Sequence, residues 1–583
     1  MHLLEHYVQL CRGSDQPLRL SFTLTLGEAA AFMQVSPRHA KILLREMETE
    51  RWITRQPGRG RGHKSTLTLL ADVEQLMFEH ALSLARYHSL DQALFFLQSQ
   101  KGSAEAQKRF WFHFSREITI DKDKQADTLH FPSYRPLPTL DPAQTSRRTE
   151  NHIMRYLFNR LLEWDGEINR FRPSLAHAWE HNEDASVWTF YLRKGVLFHD
   201  GQTLSAEVVR ESLCAHKRGH SPHTPAYVLI KELRPLSKLT LQIKCKGPAW
   251  WLPALLTTQA GSVMLRTEAD TEALPIGTGP FSVDKNTNHR LSLSAFASHF
   301  QSRPQLDGVK MYFHEQLYDS QVIDESILAD EESSNNFYNY RHATHTGEAY
   351  LRLSELDDGC KVLTLNGKRG AVATDQKLRQ AISLLLGGHS MVRELGGIRT
   401  KEARYLYRFT EDGSLKPRDS SPTSYNCGVT LTLITYAGAG NEADGAWICK
   451  RLLAAGIYIE LRVVSYEEWL TPACADAADL LLSEQLSHEN ELSTYIGAFF
   501  DRGNATSRQL PDEHKQKLDQ LMKTSPSEAV LLQQLQEVEK ELRERSFVLP
   551  LYRVQQLALY PSYCRGVQLN ALGWLDYANV WFC

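Results

Sequence analysis

Between Thr25 and Leu70 the chain reads helix, short turn, helix, strand, glycine-rich basic turn, strand, and few folds accept that order. "TLGEAAAFMQ" opens with Thr25 and Glu28 at the spacing of a capping box, which predicts a short helix. "QVS" follows as a turn. "SPRHAKILLREMETE" then starts a second helix, with Ser36 as N-cap, Pro37 at the first helical position, and Ala40, Leu43, Leu44 and Met47 as one apolar stripe. "STLTLL" alternates, Leu67 and Leu69 on one face and Thr66 and Thr68 on the other, which predicts a strand. Two helices joined by a tight turn and followed by a hairpin make a winged helix-turn-helix.

The hairpin turn also resembles a nucleotide loop, because "GRGRGHKS" from Gly58 is one residue short of the phosphate-cradling pattern G-x-x-x-x-G-K-[ST], His63 standing where the second glycine belongs. A phosphate loop requires a buried strand before it and a helix after it. Here a helix and the short polar "WITRQP" precede, and a strand follows, so the wing reading prevails. Arg38, His39, Lys41 and Arg45 are expected to project from the second helix toward base edges and phosphates. Arg55, Arg59, Arg61, His63 and Lys64 belong to the wing, within reach of the nucleic-acid backbone. The bland alternative is a solvated helix face beside an ordinary turn. Charge favours the first reading: Ser36 to Ser65 holds eight Lys or Arg against three Glu in a chain of net charge −3. Such a local basic patch is the footprint of a polyanion, and double-stranded DNA is the expected partner.

At 583 residues the chain is expected to hold two to four domains. Its nine cysteines are scattered without a C-x-x-C pair, which fits a reducing compartment. "MHLLEHYVQLCRGSDQ" looks like an amphipathic helix and not an export leader, and no run approaches the ~20 apolar residues of a membrane span. A cytoplasmic protein with no membrane partner is expected. Residues 71–110 are helical in pattern, either core of the N-terminal domain, a linker bundle or a dimer contact, which leaves room for a homodimer. The polar run 116–128 is read as a linker between a winged domain with helical extension (1–115) and a ligand-sensing domain (129–583).

That second domain reads as α/β. Trp188, Phe190 and Leu192 share a strand face, and Ser205 caps a following helix. "VTLTLITYAGAGNEADGAWICKRLLAAGIYIELRVVSY" is strand, helix ended by Gly456, strand, which implies a parallel pair with a right-handed crossover. "ADLLL" adds a further strand. The fold class is therefore multidomain, an N-terminal mainly α winged helix-turn-helix followed by a two-lobed α/β unit of the kind that clasps a ligand.

Motifs for catalysis are missing: the sequence has no G-x-S-x-G and no H-E-x-x-H, so no catalytic residue, metal site or cofactor is assigned. His177 and His181, i and i+4 on an expected helix face, and Cys214, His216, His220 and His223 are the metal-like candidates, set aside as common surface patterns. Trp250 and Trp251 are expected to pack lobes, and "IGTGPF" to form a tight turn between them. "TLDPAQTSRRTENHIMRYLF" is more promising. Arg147 and Arg148 precede a helix start, where they favour an anionic ligand, or else simply decorate the surface.

"RPSLAHAWEHNEDASVWTFYLRKGVLFHDGQTLSAEVV", "IGTGPFSV" and "PLPTLDP" resemble the solute-binding proteins of the peptide/nickel transporter class (family 5). "SPRHAKILLREM", "GRGRGHKSTLTLL" and "LGWLDYANVWF" resemble SgrR-type transcriptional regulators, which join a winged helix-turn-helix to such a domain. The resemblance implies a type II periplasmic-binding-protein-like fold, a regulator of sugar-phosphate stress type, and a ligand that is an anionic metabolite, a sugar phosphate or a peptide. It also implies that the loop after "LDP" lies at the cleft mouth. The alternative is a peptide or oligosaccharide solute-binding protein serving an ABC transporter, which would need export; an enzyme built on the same scaffold is a third reading.

Overall fold

The computed structural model describes residues 3–58, 64–87, 90–99, 106–107, 109–110, 127–133, 135–218, 221–266, 274–313, 337–339, 341–342, 350–407 and 430–583. These fall into two compact units, one within Met1–Lys122 and one within Asp123–His314 and Asp330–Cys583. The expected linker 116–128 lies, as far as residue 126, outside the described residues.

The first unit contains helices α1 (Leu3–Ser14), α2 (Leu26–Phe32), α3 (Pro37–Thr49), α4 (Val73–Tyr87) and α5 (Leu90–Ser99), with strands β1 (Ser21–Leu24), β2 (Ile53–Gln56) and β3 (Ser65–Leu69). The capping box forms: the Glu28 N–H donates to Thr25 Oγ1 at 3.1 Å while the Thr25 N–H donates to Glu28 Oε2 at 2.6 Å. Ser36 Oγ accepts from the His39 N–H at 3.3 Å and starts α3. Between the helices Gln34 takes a left-handed φ of 52°, which turns the chain sharply. The apolar stripe of α3 packs with Ala29, Ala30 and Met33 at the end of α2, Tyr7 and Leu10 of α1, and Ile53, Leu67 and Leu69 of the sheet. That sheet is antiparallel in the order β1-β3-β2.

In the second unit a four-stranded antiparallel sheet takes the order Ala176–His181, Val187–Leu192, Thr240–Cys245, Ile230–Ser237. Trp188, Phe190 and Leu192 are buried there as the alternation requires. A five-stranded sheet holds Phe281–Asn286, Arg290–Ala295, Gly308–Phe313, Thr128–Ser133 and Arg341–His342. An eight-stranded mixed sheet carries the crossover unit: Thr430–Tyr436 lies parallel to Tyr458–Val464 on one side and to Leu480–Gln485 on the other. Helix Asn441–Leu453 connects the first two, and Gly456 follows it with a φ of 85°.

Two expectations fail here. "LAHAWEH" is an edge strand, not a helix, so His177 and His181 are about 13 Å apart along the chain and cannot share a metal. His181 instead donates Nδ1–H to the Asn182 carbonyl at 2.8 Å. "IGTGPF" caps a helix: the Gly279 N–H donates to the Leu157 carbonyl at 2.9 Å, at the end of helix Arg148–Leu157. A Cβ on Gly277 would stand 2.0 Å from the Leu157 oxygen, so only glycine fits. Trp251 packs in the interior and donates Nε1–H to the Met522 carbonyl at 2.8 Å.

Candidate nucleic-acid interface and ligand cavity

At 100° per residue, Arg38, Lys41, Ile42 and Arg45 fall on one side of α3, opposite the buried Ala40, Leu43, Leu44 and Met47. All four are exposed. His39 falls on the flank instead, its ring 5.9 Å from that of His6 on α1. Arg55 stands on β2 across from Leu67, its Nε buried without a partner, and Lys64 is exposed just before β3. Arg59, Arg61 and His63 lie outside the described residues. Ile42, 51% exposed amid three basic side chains, belongs to this exposed face, which the sequence pattern hides because apolar residues on a helix are credited to the core by default. Its signal is present all the same: it breaks the stripe by one position.

In the second unit a cavity of about 80 Å³ is lined by residues from many separate stretches of chain, among them 146–151, 223–226, 255–259, 436–439, 484–488 and 493–504. Helix Arg148–Leu157 presents its N-terminus, with Arg147 as N-cap and no side-chain cap bond. Arg148 lines the cavity but is engaged: Nη1 meets Asp357 at 2.7 Å and donates to the Leu572 carbonyl at 2.8 Å, and Nε lies 3.6 Å from Glu484. Glu150, in the helix's first turn, is held bidentately by Arg135 at 2.6 Å per contact. Arg147 is different. Its guanidinium lies over the ring of Tyr466 at 4.6 Å and that of Tyr436 at 5.6 Å, and among the described residues it pairs with no carboxylate.

Asp501, at the end of helix Glu491–Phe500, also lines the cavity. Its Oδ1 accepts from the Gly503 N–H at 2.6 Å and from Ser146 Oγ at 3.2 Å, and its Oδ2 is 3.5 Å from His223 Nδ1. Burial raises the Asp501 carboxyl, against the opposing pull of His223, and burial lowers His223, so both lean toward their neutral forms. Burial likewise pushes His488 down to about 4. Among the described residues lining this cavity, His223 Nε2 and Asn151 Oδ1 are buried without a hydrogen-bond partner. His216, the other described histidine of the metal-like run, bonds Ser221 Oγ at 3.0 Å and stacks on Tyr227; His220 lies outside the described residues.

Sequence reasoning finds Arg147 and Arg148 and misses Tyr436, Tyr466 and Asp501. Asp501 leaves a trace: helix Glu491–Phe500 is buried almost throughout, and the first charge after such a helix is held by tertiary structure.

The N-terminal unit is thus a basic winged helix-turn-helix, and the second unit is a two-lobed α/β body with a cavity that carries charged and aromatic side chains: together, a DNA-binding regulator joined to a solute-binding-like domain. Residues 2–116 match the model of the sugar transport-related sRNA regulator N-terminal domain, and residues 170–506 that of the bacterial extracellular solute-binding proteins, family 5, middle region. The HTH-type transcriptional regulator SgrR of Escherichia coli O157:H7 is 26% identical over 607 residues, covering 98% of this chain and 96% of its own. YhjP of Bacillus subtilis is 24% identical over 597 residues, covering all of both. The murein tripeptide binding protein MppA of Escherichia coli superposes with a TM-score of 0.62 at 16% identity, over 79% of this chain and 99% of its own. AppA of Bacillus subtilis, solved with a nonapeptide, gives 0.62 at 16% over 78% and 99%. The chain belongs to the family 5 solute-binding proteins, in the SgrR-type branch that carries a DNA-binding N-terminal domain.

Among the described residues no helix is long and apolar enough to cross a membrane.

Proposed function

We propose that this regulator acts in the cytoplasm, reads duplex DNA through the exposed face of α3 and the wing, and senses a small anionic metabolite in the Arg147 cavity. The observation that carries the sensing half is Arg147 itself. A cation held against two tyrosine rings at a helix N-terminus, with no acid among the described residues to neutralise it, is arranged to receive an anion. Its neighbour Arg148 is occupied by Asp357, so we place the ligand's charge on Arg147 and give Arg148 a positioning role.

A buried charge-assisted hydrogen bond contributes about 1.5–3 kcal/mol, so Arg147→Gln should weaken binding of an anionic ligand roughly 10- to 150-fold. Calorimetry of the full chain with glucose 6-phosphate, beside glucose and a tripeptide, checks this. Equal affinity of wild type and Arg147→Gln for whichever probe binds would remove Arg147 from the site.

A further inference from the structure

A second cavity, of about 230 Å³, opens at the other end of helix Arg148–Leu157. It is not a continuation of the first. Thr258 and His488 line the first cavity while their chain neighbours Thr257 and Glu489 line the second, so the two share a wall.

The acids of this second cavity are already satisfied. Glu489 is paired with Arg155, and Glu163 accepts from Ser174 Oγ at 2.9 Å and meets Arg172 at 3.2 Å. Asp576 accepts from the Tyr156 hydroxyl at 3.0 Å, the Ala578 N–H at 3.2 Å and Asn579 Nδ2 at 2.7 Å. Two groups are left over. Arg160 donates one Nη1–H to the Thr257 carbonyl at 2.8 Å, makes no ion pair among the described residues, and keeps a buried Nε–H without a partner. His299 donates Nδ1–H to the Ser302 carbonyl at 2.8 Å, which leaves Nε2 as a lone-pair acceptor, also buried and unmet. Burial lowers the His299 pKa, so the ring is neutral at pH 7 and Nε2 does not change sides.

A charged donor and a neutral acceptor on one cavity ask for a ligand that carries an anionic oxygen and a hydroxyl. The volume sets its size. A 150 Å³ apolar cavity holds benzene, and on that scale 230 Å³ holds roughly nine non-hydrogen atoms. Trp164, packed at 4.9 Å on Phe171, with Pro280 and Pro304, supplies apolar surface for the carbon chain. We propose that this cavity is a second ligand site, for a small polyhydroxy acid whose carboxylate lies on Arg160 and whose hydroxyl donates to His299 Nε2.

The test is calorimetric titration of the full chain with erythronate, erythritol and inorganic phosphate. Erythronate should bind and erythritol should not, because the carboxylate supplies the acceptor that Arg160 lacks. Arg160→Gln should weaken erythronate at least tenfold. His299→Gln should weaken erythronate more than it weakens phosphate, since it touches only the hydroxyl arm. Arg234→Gln, on an exposed strand position, should leave binding within twofold, and thermal unfolding of each variant confirms that it folds. Failure of erythronate to bind wild type at 10 mM would overturn the proposal, as would erythritol binding equally well or erythronate binding Arg160→Gln undiminished. The last result would place the acid in the Arg147 cavity instead.

Discussion

At the scale of single residues, Ile42 and Arg147 illustrate the same rule: a side chain whose surroundings do not use it is available to a partner. A half-exposed isoleucine in the centre of a basic helix face gains nothing from water. On the proposed reading its counterpart in the major groove is the thymine methyl, with Arg38 and Lys41 set to meet guanine edges and phosphates. Ile42→Ser should therefore leave overall affinity for random duplex nearly unchanged and lower discrimination at one base pair, by about 1 kcal/mol. Competition binding on a panel of single-base variants of the preferred site reads this directly. A uniform loss at every position would mean that Ile42 supports the fold of α3 and does not read sequence.

Elements show which interactions a sequence can reveal. The helix-turn-helix is legible because its signals are local: Thr25 with Glu28, Ser36 with Pro37, and a stripe at helical spacing all lie within a few residues of what they control. The crossover strands around helix Asn441–Leu453 are legible for the same reason. "LAHAWEH" misleads because two histidines four apart suit a helix, whereas antiparallel pairing with the next strand, Val187–Leu192, across the short connection 182–186 makes it a strand. The cavity is half legible. Arg147 sits beside its own helix start, but Tyr436, Tyr466 and Asp501 reach it from hundreds of residues away. A similar non-local contact anchors helix Asn441–Leu453: Asp444, fully buried, meets Arg399 at 2.7 Å and Lys361 at 3.8 Å, and accepts from the Tyr552 hydroxyl. Removing the carboxylate leaves two cations buried together, so Asp444→Ala should cost about 3–5 kcal/mol. Urea denaturation measures it, and a loss below about 1 kcal/mol would show that water relieves those cations.

For the whole molecule, burial of neutral histidines sets the response to acid. His488 is pushed down to about 4 by burial, and His216 and His223 are lowered for the same reason. The unfolded chain takes up protons on these rings below about 6.5 and the folded chain does not, so their contribution is full above that pH. It is lost as pH falls from about 6.5 toward 4, at up to about 1.4 kcal/mol per pH unit for each ring. Asp501 works in the opposite sense: its raised carboxyl favours the folded state at low pH and loses that contribution as pH rises through its folded value. Burial also lowers His152, His199, His299 and His514 and raises Glu491, Glu528 and Glu539. Among the described residues the lowered rings thus outnumber the raised carboxyls, so the urea midpoint should fall between pH 7 and pH 5, and fall less in His488→Gln. A midpoint that holds or rises over that range would contradict the neutral-histidine account.

The central claim is that this SgrR-type chain grips duplex DNA through α3 and the wing, and salt dependence tests it most directly. Each phosphate neutralised contributes about −0.9 to the slope of log K against log salt. Anisotropy of a labelled duplex, selected from a random pool with the full chain and titrated between 50 and 200 mM salt, gives that slope for wild type and for a variant with Arg38, Lys41 and Arg45 replaced by alanine. The account predicts a steep negative slope for wild type, a shallower one for the variant by about one unit per phosphate contact removed, and loss of preference for the selected sequence. An unchanged slope and preference in the variant, or wild-type binding indifferent to salt, would contradict it.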